Sequence, residues 1–160
     1  MVKRRKKSKE EMLILATDPA SEFGWAISEN EYGVWDLRTR KDESMGMKIL
    51  RLEAKLKELH QMRPFKVLAY ERPAGRHAHA IIHQAKLIGK LEEWCENNKI
   101  AYRSYSAGEI KKFATGKGNA GKPKMIEAAR KLYGYQGNND NEADALHILA
   151  LAKKDLNIKK

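Results

Sequence analysis

The sequence predicts an α/β fold: a five-stranded mixed sheet with helices on both faces. Three observations carry that expectation. Two short, continuous apolar runs, Met12–Thr17 and Lys66–Tyr70, read as central strands buried on both sides. Longer segments repeat their apolar residues at helical spacing instead. The two patterns alternate along the chain in the order β-β-β-α-β-α-β-α-α, which suits a layered sheet-and-helix domain.

The first strand, Met12–Thr17, runs into Asp18-Pro19. Gly24–Ser28 and Gly33–Leu37 follow as two short strands, and Glu29-Asn30-Glu31 suits the turn of a hairpin between them. From Glu43 to Met62 the residues Met45, Ile49, Leu52, Leu56 and Leu59 form one stripe of an amphipathic helix. Lys48, Arg51, Lys55 and Lys57 are expected on its other faces, and Arg63-Pro64 ends it. The strand Lys66–Tyr70 leads straight into Glu71-Arg72-Pro73.

A second long helix is expected over residues 78–98. Ile81, Ala85, Ile88 and Cys95 share a face that Leu87, Leu91 and Trp94 widen, a breadth that suggests burial against both the sheet and a partner chain. Ile100–Tyr105 reads as a strand, and Ser106 as the cap of a short helix through Lys112. After the loop Thr115–Gly121, Pro123 opens a helix with Ile126, Ala129, Leu132 and Tyr133 along its stripe, and Gly134 stops it. The last helix spans 141–153, with Ala143, Leu146, Leu149 and Ala150 inward. Trp25, Trp35 and Trp94 are expected in the core.

The organisation is one domain, 12–157, behind a basic arm, 1–11, that reads as flexible. The arm could solubilise, touch phosphates or act as a targeting signal. No apolar run approaches the roughly 20 residues of a membrane span, and Leu13–Ala16 is too short for a signal peptide. Cys95 is the sole cysteine, which excludes a disulfide framework and a multi-cysteine zinc module and suits a reducing, cytoplasmic setting. Lys and Arg number 32 against 21 Asp and Glu, a formal net charge of +11. That surplus points to a polyanionic partner.

Three acidic residues stand out from the many on helix surfaces. Asp18 ends the most apolar strand, Glu71 ends the next, and Asp144 sits between Ala143 and Ala145 in the last helix. Taken singly, each has an ordinary explanation: Asp18 caps a turn before Pro19, Glu71 pairs with Arg72, and Asp144 is a helix N-terminal charge. Taken together they can converge at the ends of adjacent strands, where their mutual repulsion would raise their pKa values and a divalent cation would relieve it. An all-oxygen donor set favours Mg²⁺ or Mn²⁺ over Zn²⁺. In a cationic chain such a site suits phosphodiester or polyphosphate chemistry.

The same residues resemble the RuvC-type Holliday junction resolvases of the RNase H-like superfamily, along most of the chain from Leu13 to Ala152. Asp18-Pro-Ala-Ser-Glu-Phe-Gly-Trp-Ala26 is similar to the family's opening motif, and Tyr70-Glu-Arg-Pro73 to its second acidic motif. Gly116-Lys-Gly-Asn-Ala-Gly-Lys122 resembles its Gly/Lys loop, and Glu142-Ala-Asp-Ala-Leu146 its closing motif. The pattern is closer to the phage and mobile-element branch than to the cellular bacterial one.

The resemblance implies a homodimer that resolves four-way or other branched DNA by paired nicks, with two Mg²⁺ (or Mn²⁺) ions per site. Asp18, Glu71 and Asp144 match its metal-binding acids, and Lys122 its catalytic lysine. Where the family has its fourth acid this chain has Asn141; Asp140, four residues before Asp144, is the preferred substitute and Asn141 its rival. The family's stacking aromatic after the second acid is replaced by Ala74-Gly75-Arg76-His77, so Arg76 and His77 are expected to touch DNA instead.

Lys111, Lys112, Lys117 and Lys124 are further expected DNA contacts; residues 111–132 carry seven cations against Glu127 alone. His79 and His83, four apart, could bind a metal but lack a third soft ligand, so solvent or DNA contact is the preferred reading. Two other functions remain open on sequence: an RNase H-like nuclease for RNA–DNA hybrids, flaps or forks, and a non-catalytic module that binds branched DNA.

Overall fold

The computed structural model describes residues 12–75 and 77–158. The arm expected at 1–11 lies outside them, as does Arg76. The strands are β1 (Ile14–Asp18), β2 (Glu22–Ser28), β3 (Glu31–Asp36), β4 (Val67–Glu71) and β5 (Ala101–Tyr105). The helices are α1 (Met45–Met62), α2 (Ala78–Asn98), α3 (Ala107–Thr115), α4 (Lys122–Tyr133) and α5 (Asp140–Asp155). Each expected segment forms its element with ends moved by a few residues, but three helices follow β5, one more than the expected order counts.

The strands form one sheet in the order β3-β2-β1-β4-β5. β1, β2 and β3 pair antiparallel, whereas β1, β4 and β5 run parallel. The two apolar runs are therefore neighbours at the middle of the sheet, where both faces need cover.

Alternation along the strands divides the core into two layers. Leu15, Leu68 and Tyr70 face α1 and α2, packing with Leu52, Leu56, Leu87, Leu91, Trp94 and Cys95. Ile14, Ala16, Ala26 and Ala69 face the other way, against Ala143, Leu146 and Leu149 of α5 and against Met125 and Ala129 of α4. Alanines on both sides of that contact let α5 lie close to the sheet. Cys95 is fully buried, and burial pushes its thiol up to about 12, so it is an inert packing residue.

Local signals behave as their chemistry dictates. Ser106 and Glu109 form a reciprocal capping box at the start of α3. Gly134 closes α4 at φ 70°, a left-handed conformation in which glycine carries no side-chain penalty.

Three expectations need correction. Lys48 is not on an open face of α1: it is 5% exposed, and its Nζ donates to Ser21 Oγ at 2.7 Å. The last helix is not a one-sided stripe, since Ala145, His147 and Ile148 are buried along with Ala143, Leu146 and Leu149. Helices α3 and α4 pack over it, so sheet and helices enclose α5 between them. Trp35 and Trp94 are in the core as expected, but Trp25 is half-buried and lies stacked on Trp35, ring centroids 5.8 Å apart.

Candidate acidic site at the strand ends

The parallel pairing of β1 with β4 sets Ala16 beside Ala69 and Thr17 beside Tyr70. The next residue of each strand is Asp18 and Glu71. By alternation both carboxylates share the face of Ala16 and Ala69, the face that α5 covers. Buried Thr17 donates its hydroxyl to Ala69 O at 3.0 Å and so ties the two strands one residue before Asp18 and two before Glu71.

The first turn of α5 brings the other acids. Its N-cap Asn139 accepts from Glu142 N–H at 3.0 Å. Tyr135, buried at the start of the preceding loop, accepts the Asn139 N–H at 2.9 Å and donates its hydroxyl to Glu142 Oε1 at 2.8 Å. Asp140 and Asp144 then sit one turn apart on a single helix face.

Gly24 fixes how close this helix end comes. It pairs with Asp18 across β1 and β2, and a Cβ built on it would lie 2.6 Å from the Asn141 carbonyl carbon. Only glycine permits that approach. The segment Asp18–Ala26 was legible as a motif; the reason for its glycine lies 117 residues downstream, at Asn141.

The electrostatics show that the acids form one unit. Burial, then the charges of Asp144, Glu71 and Asp140, hold the Asp18 carboxyl well above its ordinary range. Burial, then Glu71 and Asp140, raise Asp144 to about 7. Glu71 is raised by burial and eased by Lys111. Lys122 pairs with Asp140 at 3.4 Å, its own side chain 81% exposed, and it also eases Asp18 and Asp144.

Among the expected site residues, then, Asp18, Glu71, Asp140, Asp144 and Lys122 are together. Lys111 also acts on this site, its charge opposing the upward shift of Glu71 and Asp144. Asn141 meets Gly24 through its backbone. The ordinary explanation of Glu71 fails, because Arg72 instead bonds Ser104 O at 3.1 Å and pairs with Glu109.

Lys112, Lys117 and Lys124 are exposed, on α3, on the loop after it and on α4. His77 is exposed at the start of α2. His79 and His83 stack on each other, centroids 4.5 Å apart. Among the described residues, no three His, Cys, Asp or Glu side chains are gathered tightly enough to hold a metal ion as they stand. The donor chemistry fits a hard cation nonetheless: the acids are all oxygen ligands, and each of the three raised carboxyls would be relieved by positive charge.

A buried histidine that the sequence did not single out locks α4 onto α5. His147 has no exposed surface; its Nδ1 is 3.0 Å from Tyr133 Oη and its Nε2 is 2.8 Å from Met125 O. Burial lowers its pKa, so it stays neutral, donating from Nε2 and accepting at Nδ1.

Among the described residues, no helix is long and apolar enough to cross a membrane. Comparison with family models and with curated proteins by sequence gives no match. Solved structures do match. RuvC of Thermus thermophilus is 18% identical over 91% of this chain and 97% of its own, with a TM-score of 0.70. The same resolvase in complex with a Holliday junction substrate is 18% identical, covers 87% of this chain and 91% of its own, and gives 0.69. The yeast mitochondrial Holliday junction resolvase Ydc2 is 14% identical over 91% of this chain and 84% of its own, at 0.55. These superpositions show that the chain shares the α/β fold of the RuvC resolvases.

Proposed function

We propose that this chain is a divalent-metal-dependent endonuclease that resolves Holliday junctions and related branched DNA by paired phosphodiester nicks. The observation that carries the reading is the buried acidic site. Four carboxylates from the ends of two adjacent parallel strands and the first turn of α5 stand beside Lys111 and Lys122, in a chain of net charge +11. The likeness in fold to a resolvase solved on its junction supports the substrate class.

Asp18, Glu71, Asp144 and Asp140 would hold Mg²⁺ or Mn²⁺. Asn141 is the weaker candidate, because a neutral amide oxygen holds a hard cation less strongly than a carboxylate does. When bound there, two such ions would supply activation of a water and charge stabilisation at the leaving 3′ oxygen. Lys122, exposed and free to turn from Asp140, meets charge developing on the scissile phosphate. Lys111 offsets part of the burial that raises Glu71 and Asp144. Lys112, Lys117, Lys124, Arg76 and His77 contact the arms of the DNA, mainly through phosphates, so affinity falls steeply with salt.

The chain acts as a homodimer through the first turns of α2, where Ile82 is 54% exposed beside exposed Ala85. A two-fold dimer would place two sites symmetrically on a junction. Residues 12–157 form the nuclease domain, working in the cytoplasm.

One observation favours a second reading, a module that binds branched DNA without cutting it: the described acids are not gathered into a ready ligand set. A labelled synthetic four-way junction, offered beside a linear duplex and an RNA–DNA hybrid with Mg²⁺, Mn²⁺ or EDTA, separates these. Symmetric junction nicks that vanish in EDTA and in Asp144→Asn are expected. Cutting of the hybrid alone overturns the substrate, and tight junction binding without cutting in either metal overturns catalysis.

A further inference from the structure

Lys48 is in an unusual position for a lysine. It is 5% exposed, yet its partner is the neutral hydroxyl of Ser21, and no carboxylate lies within ion-pair distance among the described residues. A buried ammonium without an anion is costly. Two of its three N–H donors have no protein acceptor among the described residues. An ammonium so placed can attract an anionic ligand.

The surroundings also provide a place for it. A notch of about 320 Å³, lined by Ala20, Ser21, Ala80, His83, Gln84 and Leu87, opens between α2 and the loop that follows Asp18. Ser21 accepts from Lys48, so its own hydroxyl proton is free to donate into the notch. His83 of α2 also lines the notch and carries a ring N–H. The positive charge of Lys48 reaches it, holding the imidazole below its ordinary pKa after the effect of burial. Gln84 donates to Pro19 O at 3.4 Å and so fastens this wall to the loop that begins at the acidic site.

We infer that Lys48, Ser21 and His83 form a phosphate subsite for the DNA backbone, adjoining the acidic site on the α1–α2 side of the sheet. The inference rests on the nuclease reading above and adds to it a contact that neither the basic segment 111–132 nor the acidic site supplies. Ser21 is three residues beyond Asp18, so a strand lying across the strand ends would meet the carboxylates on one side and the notch on the other. The buried ammonium is the fixed charge, Ser21 relays it, and His83 completes the donor set.

The test uses the full chain carrying Asp144→Asn, in EDTA, with a fluorescent four-way junction and with Lys48→Met added or not. Methionine fills the same volume without charge. The expected result is about tenfold weaker junction binding and a log affinity–log salt slope smaller by about one, with a Tm equal to or above the parent's. A lower Tm with affinity and slope unchanged overturns the inference and makes Lys48 structural.

If Lys48→Met does not fold, Ser21→Ala is read instead. Weaker binding by about threefold is expected, and unchanged binding overturns the inference. Inorganic phosphate that stabilises the parent but not Lys48→Met, with junction affinity unmoved, also overturns it, by making the notch a site for a free anion. A parent that binds neither junction nor duplex removes the nuclease reading and this one together; a parent that binds without any effect of Lys48 or Ser21 removes this one alone.

Discussion

Replacing Asp144 by asparagine is expected to stabilise the cation-free protein at alkaline pH and to leave it unchanged in acid. The Asp144 carboxyl has an ordinary pKa of 3.8 and stands at about 7 in the fold, raised first by burial and then by Glu71 and Asp140. The folded chain therefore binds this proton more tightly than the unfolded chain does. A raised pKa contributes stability in full below about 3.8 and loses it as pH climbs through about 7. The gap corresponds to about 4 kcal/mol at 1.36 kcal/mol per pH unit.

Asp18 and Glu71 compete for the same proton, so about half of that, about 2 kcal/mol, is the share expected from Asp144 alone. Asparagine is nearly isosteric and never ionises. Thermal unfolding in EDTA at pH 8 is expected to show Asp144→Asn melting about 4–8 °C above wild type, with the difference closing near pH 4.5. Mg²⁺ at pH 8 is expected to raise the wild type more than the variant. No gain at pH 8, or the same gain at both pH values, would refute the claim that buried like charges strain this site.

Two further outcomes follow from the packing around it. Gly24→Ala pushes a methyl group into the Asn141 carbonyl, so it is expected to lower stability by about 1–3 kcal/mol; junction cleavage should fall well beyond what thermal unfolding accounts for, since Asp140 and Asp144 move with the helix end. His147 is held neutral by burial, so its folded pKa lies below 6.5 and its contribution is complete above that value and shrinks as pH falls. Urea unfolding from pH 7.5 to 5.5 is accordingly expected to narrow the stability gap between wild type and His147→Leu, and a gap that widens in acid contradicts this.

The strand-end acids were readable because of a contrast in the sequence. Long apolar runs predict buried strands, and a carboxylate at the end of such a run has little reason to be there unless it is used. Capping and helix-stop signals were equally readable, because Ser106 and Gly134 act on their own neighbours. What could not be read depends on contacts between distant segments. Lys48 looks like any cation on an amphipathic helix until Ser21 and α2 close over it. Gly24 looks like the ordinary start of a short strand until α5 arrives against it. His147 is unremarkable in sequence, since its partners Tyr133 and Met125 lie on another helix. The enclosure of α5 was hidden for a similar reason: its short alanines give little periodic signal, and Lys153 and Lys154 disguise the end of a core helix.

The site is assembled from Asp18, Glu71 and Asp144, which are widely separated along the chain and are drawn from its first strand, its fourth strand and its final helix. No contiguous stretch contains it. During synthesis, a ribosome must release nearly all of α5 before the carboxylates can meet, so a growing chain stays chemically silent however early its sheet begins to form. Truncated or stalled products would keep the cationic surface of the central segments and lack the acidic centre. On the proposed function, they would bind nucleic acid without cutting it and compete with full-length chains for the same DNA.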